Sequence, residues 1–204
     1  MAVSKTVPHE AILEAYVAGQ RLFGESKVQD FAEKAGALAD LKDAQFHMIG
    51  HLQTNKAVKA VELFHAVDSV DSAKLATRLN AAAESACNVL PILIEINIGS
   101  EEAKSGVAPG SPELSEILNG ASGWPNLRIR GLMTVPPYTE DPEGARPYFR
   151  KLRELREQLV ARNYPGVSFE ELSMGMSHDF EVAIEEGSTC VRIGTAIFGE
   201  RPKR

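Results

Sequence analysis

Ala2-Val3-Ser4-Lys5-Thr6, followed at once by Pro8 and the helical spacing of Ile12, Ala15 and Tyr16, reads as a short strand that runs straight into a helix. Pro8 suits a first helical position and Gly19 a C-terminal cap. The same unit recurs along the chain. Apolar runs near residues 22 to 25, 46 to 50, 65 to 70, 90 to 98, 127 to 134, 171 to 176 and 189 to 194 predict seven more strands, with helical segments between them. Asp71 or Ser72 can cap a helix bearing Leu75, Ala76, Leu79 and Ala83. Pro142 opens the longest helix, whose stripe of Tyr148, Phe149, Leu152, Leu155 and Leu159 runs until Asn163 and Pro165 end it.

Eight strand-helix units predict an α/β chain folded as a single (β/α)8 TIM-type barrel over residues 1–204, with a doubly wound open sheet as the alternative architecture. Both ends of the chain are unusual for a barrel. Strand 1 begins almost at Met1, and Phe198 to Arg204 are too few for a closing helix, so one outer groove is expected to lack its cover.

The chain has 204 residues, 44% of them hydrophobic and 25% charged, enough for one sizeable core. A formal net charge of -6 argues against a nucleic-acid partner, which calls for clustered Lys and Arg. No apolar run reaches membrane-span length and no secretory leader is evident, so a soluble cytoplasmic protein without a membrane partner is expected. Cys87 and Cys190 have no metal-ligand spacing and read as small buried residues in a reducing compartment.

Lys5 is the residue with the most chemistry. It is expected at the carboxyl end of strand 1, where barrels build their sites, and lysine is the side chain that forms Schiff bases with carbonyl compounds. Alone, a lysine at a strand end is usually a solvated surface group. Its significance comes from Arg192-Ile193-Gly194-Thr195 at the other end of the chain. The loops after strands 7 and 8 are the recurrent phosphate site of barrels; Gly194 permits close approach to the backbone and Thr195 brings a hydroxyl. Arg192 in a structural salt bridge beside an ordinary turn is the competing reading. On strand 7, Ser173 is a stronger candidate than Ser177, because Ser177 or Asp179 could simply cap the next helix. Glu95 and Asn97 share a face of strand 5 and predict an inward hydrogen-bond network.

Three other motifs fail. Gly99-Ser100-Glu101-Glu102-Ala103-Lys104-Ser105 looks like a phosphate loop, but Ile98 and Ala103 occupy both required glycine positions. His47 and His51 have helical metal-pair spacing yet fall on a strand and its exit, and Ser177-His178-Asp179 are mere sequence neighbours.

Val3-Ser4-Lys5, Phe23-Gly24-Glu25, Phe46-His47-Met48-Ile49-Gly50, Leu52-Gln53-Thr54-Asn55-Lys56, Gly131-Leu132-Met133-Thr134, Leu172-Ser173-Met174-Gly175-Met176-Ser177 and Val191-Arg192-Ile193-Gly194-Thr195 together resemble the pyridoxal phosphate homeostasis proteins, the YggS family, across essentially the whole chain. The resemblance implies a barrel like that of alanine racemase, with pyridoxal 5'-phosphate (PLP) held as a Schiff base on Lys5. It implies Arg192 at the pyridine nitrogen, Ser173, Gly194 and Thr195 at the phosphate, and Met133 at the ring; Ser177 stays open between phosphate contact and helix cap. Ser26 stands where the family commonly has asparagine, and the family's helix before strand 1 is not found in this sequence. The implied role is PLP and vitamin B6 homeostasis without dedicated catalysis, by a monomer that hands cofactor to PLP-dependent apoenzymes; self-association through the uncovered groove is a further possibility. The alternatives are an amino-acid racemase-like enzyme and a barrel that binds another phosphorylated metabolite.

Overall fold

The computed structural model describes residues 1–101 and 105–200. Eight parallel strands follow one another in sequence order: β1 (Ala2–Val3), β2 (Leu22–Glu25), β3 (Gln45–Met48), β4 (Ala66–Val70), β5 (Leu90–Glu95), β6 (Leu127–Met133), β7 (Val167–Met176) and β8 (Cys190–Arg192). The last strand returns to the first. Ala2 bridges Ile193 in parallel, Val3 N donates to Ile193 O at 2.8 Å, and Ile193 N donates to Met1 O at 2.9 Å. This closure selects the barrel over the open sheet.

Outside the barrel lie α1 (His9–Val17), α2 (Val28–Ala35), α3 (Ala57–Leu63), α4 (Ala73–Ser85), α5 (Pro112–Gly120), α6 (Arg146–Arg162), α7 (Phe180–Glu185) and α8 (Thr195–Phe198). Ser72 caps α4, its Oγ accepting from Leu75 N at 3.2 Å, and Leu75, Ala76, Leu79 and Ala83 are buried as their spacing requires. Pro142 opens a short 3-10 turn that leads into α6, and Asn163 ends that helix at a φ of 50°. Phe149, Leu152, Leu155 and Leu159 form its buried stripe, with Tyr148 only partly covered.

The aromatic side chains fasten α2 to the sheet. Phe31 lies 4.7 Å from Phe46 and 4.9 Å from Phe64 between ring centroids, and Phe23 lies 5.2 Å from Phe46. All four rings are buried. Rings of this size dominate local packing, so the axial position of α2 is fixed by this cluster.

The structure corrects several boundaries. β1 ends at Val3, which leaves Lys5 in the following turn, and β5 ends at Glu95, so Asn97 belongs to a loop where its Nδ2 donates to Glu101 O at 2.8 Å. Pro8 is the residue that caps α1 rather than its first member, and Gly19 follows the cap residue Ala18. The last strand does have a helix after it, the single turn α8, although sequence length argued for none. Cys87 is exposed, not buried, at a φ of 50° just past α4. Part of the failed phosphate-loop motif, residues 102–104, lies outside the described residues. Among the described residues no helix is long and apolar enough to cross a membrane.

Strand β6 pairs with β7 at Gly131, opposite Glu171. A Cβ there would overlap the carbonyl oxygen of Glu171 and stand 2.7 Å from its carbonyl carbon, both backbone atoms that cannot step aside. Gly131→Ala is therefore expected to lower unfolding stability by about 3 kcal/mol or more, read from the urea midpoint.

Candidate functional site

The site sits at the carboxyl ends of the strands, in a cavity of about 330 Å³. Its wall brings together Lys5, Ser26, Ser177, Arg192, Gly194 and Thr195, six of the eight residues singled out from sequence. Met133 and Ser173 are not on that wall; both are fully buried beneath it. A larger cavity, about 490 Å³, opens at the amino-terminal ends of β3 to β5. Its charges are already paired, His47 Nδ1 with Asp68 Oδ2 at 3.1 Å and Arg130 Nη2 with Glu171 Oε1 at 2.7 Å. Barrels carry their chemistry at the carboxyl face, which is the end that holds the lysine.

Lys5 stands in a tight turn. Ser4 N extends the ladder by donating to Gly24 O at 2.9 Å, and Val7 N closes the turn onto Ser4 O at 3.0 Å. Thr6, inside that turn, has a φ of 64°, a left-handed conformation that a β-branched residue adopts only under constraint. A buried ion pair lies underneath. Lys34, at the C-terminal end of α2, donates from Nζ to Glu25 Oε1 at 2.7 Å and to the carbonyl oxygens of Ser4 and Val7 at 3.1 and 3.2 Å. Ser4 Oγ donates to the same Glu25 oxygen at 2.6 Å.

Across the cavity, Arg192 is buried with its guanidinium held from behind. Nη1 donates to Ser173 Oγ at 2.8 Å and Nη2 to Thr134 O at 2.7 Å. Burial works against its charged form, opposed by Cys190, Asp68, Glu95 and Asp179. Ser173 thus orients Arg192 instead of facing the cavity. Glu95 belongs to the same interior: its Oε2 is buried with no hydrogen-bond partner, and burial, with help from the Asp71 charge, pushes its carboxyl up to about 7.

At the exit of β8 the backbone N–H groups of Gly194 and Ala196 point at Ser177 Oγ, at 3.1 and 3.4 Å. Ser177 therefore caps the first turn of α8, not α7 as capping logic suggested. With its acceptor positions occupied, its O–H is left to donate. Asp179 instead accepts from Met176 N at 2.6 Å through Oδ1. A methyl at Gly194 would meet only Val3 atoms at 3.7 Å, ordinary contact. Packing does not demand glycine at 194; its N–H is engaged by Ser177 Oγ and its carbonyl oxygen accepts from Ile197 N and Phe198 N at 3.0 and 2.9 Å, so what glycine leaves there is space beside the cavity.

The cavity also uses residues that sequence reasoning did not single out: Ile49, Gly50, Val135, Met176 and His178. Each follows or ends β3, β6 or β7, and position at a strand's carboxyl end was the signal available. His178 Nε2 lies 3.1 Å from both Thr139 O and Glu140 O, so it donates and ties the β6 and β7 exits together. His47 lies on β3 and His51 beyond it, where its Nδ1 pairs with Asp71 at 3.1 Å; the two do not form a metal pair.

The family model described as alanine racemase, N-terminal domain, matches residues 1–202. The chain is 50% identical over 201 residues to the pyridoxal phosphate homeostasis protein of Aquifex aeolicus, covering 98% of this chain and 86% of that protein. It belongs to that family. The Escherichia coli member is 42% identical over 208 residues, covering 98% of this chain and 85% of that protein. A solved structure of PipY from Synechococcus elongatus, with PLP bound, has a TM-score of 0.88 at 38% identity, covering 98% of this chain and 91% of that one. An alanine racemase of Clostridium difficile has a TM-score of 0.76 at 15% identity, covering 99% of this chain and 52% of that one, a likeness of fold.

Glu95 gives this family member a pH signature. Its folded value near 7 exceeds the ordinary 4.5, so the folded state holds the proton more tightly and loses stability as pH rises through that window. The loss by pH 8 is on the order of 3 kcal/mol. Glu95→Gln should flatten that part of the melting-temperature profile between pH 4.5 and 8.

Proposed function

We propose that this chain, as one barrel domain over residues 1–204, binds PLP reversibly as a Schiff base on Lys5 and serves PLP and vitamin B6 homeostasis without dedicated catalysis. One observation carries the reading: a single cavity joins the Lys5 turn after β1 to Arg192 on β8 and to Ser177, Gly194 and Thr195 around the β8 exit. That donor set fits the cofactor. PLP, when bound, supplies a carbonyl carbon that condenses with an amine, a pyridine nitrogen and a phosphate.

Lys5 gives covalent but exchangeable attachment. Arg192 would donate toward the ring nitrogen, and because guanidinium stays protonated and has no acceptor, that nitrogen would be held without a proton and the bound ring would be a poor electron sink. Carbanion chemistry is disfavoured, and exchange of amines at the carbonyl carbon is not. The O–H of Ser177 and the hydroxyl of Thr195 would hold the phosphate, Gly194 would leave it room by having no side chain, and Ser26 would flank the ring. Ser173 supports Arg192, and Met133 packs beneath. The proposed setting is the cytoplasm, with a monomer that buffers cofactor and passes it to PLP-dependent apoenzymes.

Adding PLP to the purified protein should produce a visible absorption band, and borohydride reduction should leave the adduct on the Lys5 peptide. Lys5→Arg keeps the charge but cannot condense, so band and adduct should both vanish. Adducts scattered over surface lysines in the unmodified sequence, or Lys5-dependent racemisation of an amino acid at enzymatic rates, would overturn this reading. Arg192→Met removes a charge-assisted contact and is expected to weaken PLP binding by about 10- to 100-fold in a spectroscopic titration.

A further inference from the structure

We infer that Lys34, which is not on the cavity wall, is the positioning residue that sets where the Lys5 amine stands. The inference rests on the reading of Lys5 given above. An ammonium has three N–H donors, and Lys34 directs one to Glu25 Oε1 and the other two to the carbonyls of Ser4 and Val7. Those carbonyls bracket Lys5 and Thr6. The turn is short: β1 contributes two residues before it, and Val7 N closes it onto Ser4 O.

Thr6 carries the second, independent observation. Its left-handed φ of 64° is a strained state that relaxes unless the surroundings over-determine the backbone, and the two Lys34 contacts fall on the carbonyls either side of it. The clamp is itself rigidly based. Glu25 is fully buried at the end of β2 and receives Ser4 Oγ as well as Lys34 Nζ, and Lys34 follows Phe31 by three residues on the face of α2 that the aromatic cluster pins to the sheet. A buried ion pair is a poor source of stability compared with apolar packing of the same volume. What this pair supplies is geometry. Misplacing a reacting group by a fraction of its bond length to the target lowers reactivity steeply, so the clamp converts a two-residue strand into a defined amine position.

The test compares the unmodified sequence, Lys34→Met, and the double variant Glu25→Gln with Lys34→Met, reading the PLP titration, the fraction of borohydride-trapped adduct on the Lys5 peptide, and the melting temperature. Lys34→Met leaves the Glu25 carboxylate without its cation and is expected to lower both stability and Lys5 labelling. The double variant removes both charges, so its melting temperature should return toward the original while Lys5 labelling and PLP affinity stay lower by about tenfold. A double variant that labels Lys5 within about twofold of the original overturns the inference, and the cofactor reading then stands. Absence of a Lys5 adduct in the unmodified protein overturns both. If neither variant folds, Ser4→Ala, which removes the Ser4 Oγ bond that fixes the Glu25 partner of Lys34 together with the longer contact to Gly24 O, carries the test: about a threefold loss of Lys5 labelling is expected at near-constant melting temperature, and no loss overturns the inference.

Discussion

The closure of β8 onto β1 is the constraint on which the site depends. β1 is two residues long, yet it pairs with Phe23 and Gly24 on one side and with Ile193 on the other, and the N-terminal ammonium donates to Val191 O at 3.0 Å. Lys5 and Arg192 stand at opposite ends of the sequence and meet only because this seam forms. Pairing of such separated segments is entropically slow to establish. Its register has to be strict as well, because a one-residue slip of β1 would exchange the faces of Val3 and Ser4, withdraw the Ser4 hydroxyl from Glu25 and carry the Lys5 turn away from the cavity.

The interior above that seam is polar, and polarity inside a barrel has to be compensated. Arg192 is matched by Ser173 Oγ and Thr134 O, and Thr134 is fixed in turn through its Oγ1, which donates to Ile96 O at 2.6 Å. Two carboxylate oxygens near this end of the barrel, Glu25 Oε2 and Glu95 Oε2, remain buried without partners. Each is a destabilising feature by itself. The apolar shell between sheet and helices, from Phe23, Phe31 and Phe46 around to Phe149 and Leu152, supplies the stability against which such groups are tolerated. Glu25 joins Ser4 to Lys34, whereas Glu95, which keeps its proton up to about pH 7, adds negative charge beside Arg192 only when ionised.

Much of this was legible in the sequence because the fold is written in local patterns. Apolar runs of strand length placed all eight strands, and Ser72, Asn163 and the α6 stripe marked their helices by cap chemistry and period. The residues that come to one cavity were legible as a pair of strand ends, Lys5 and Arg192 to Thr195. What failed was anything decided by a contact in three dimensions. Ser173 looked like a ligand contact because it is a hydroxyl near the end of β7, but the neighbouring strand turns it toward Arg192. Ser177 looked like a cap for α7 and caps α8 instead. Lys34 and Glu25 gave no sign at all: a helix lysine and a strand glutamate nine residues apart are ordinary until the turn after β1 brings the Ser4 and Val7 carbonyls to the same ammonium.

The manner in which Arg192 is held also explains why arginine, and not lysine, suits that position. Two of its nitrogens are fixed by partners on β7 and at the end of β6, a planar fork that an ammonium on a flexible stem cannot reproduce. Fixing two nitrogens of the fork holds the guanidinium in one place at the cavity wall. The amine on the opposite side is oriented in the same indirect way, through the backbone on either side of Lys5. Both chemical groups are thus aimed by residues off the cavity wall, so a ligand that bridges them meets a spacing set by the barrel and not by its own binding.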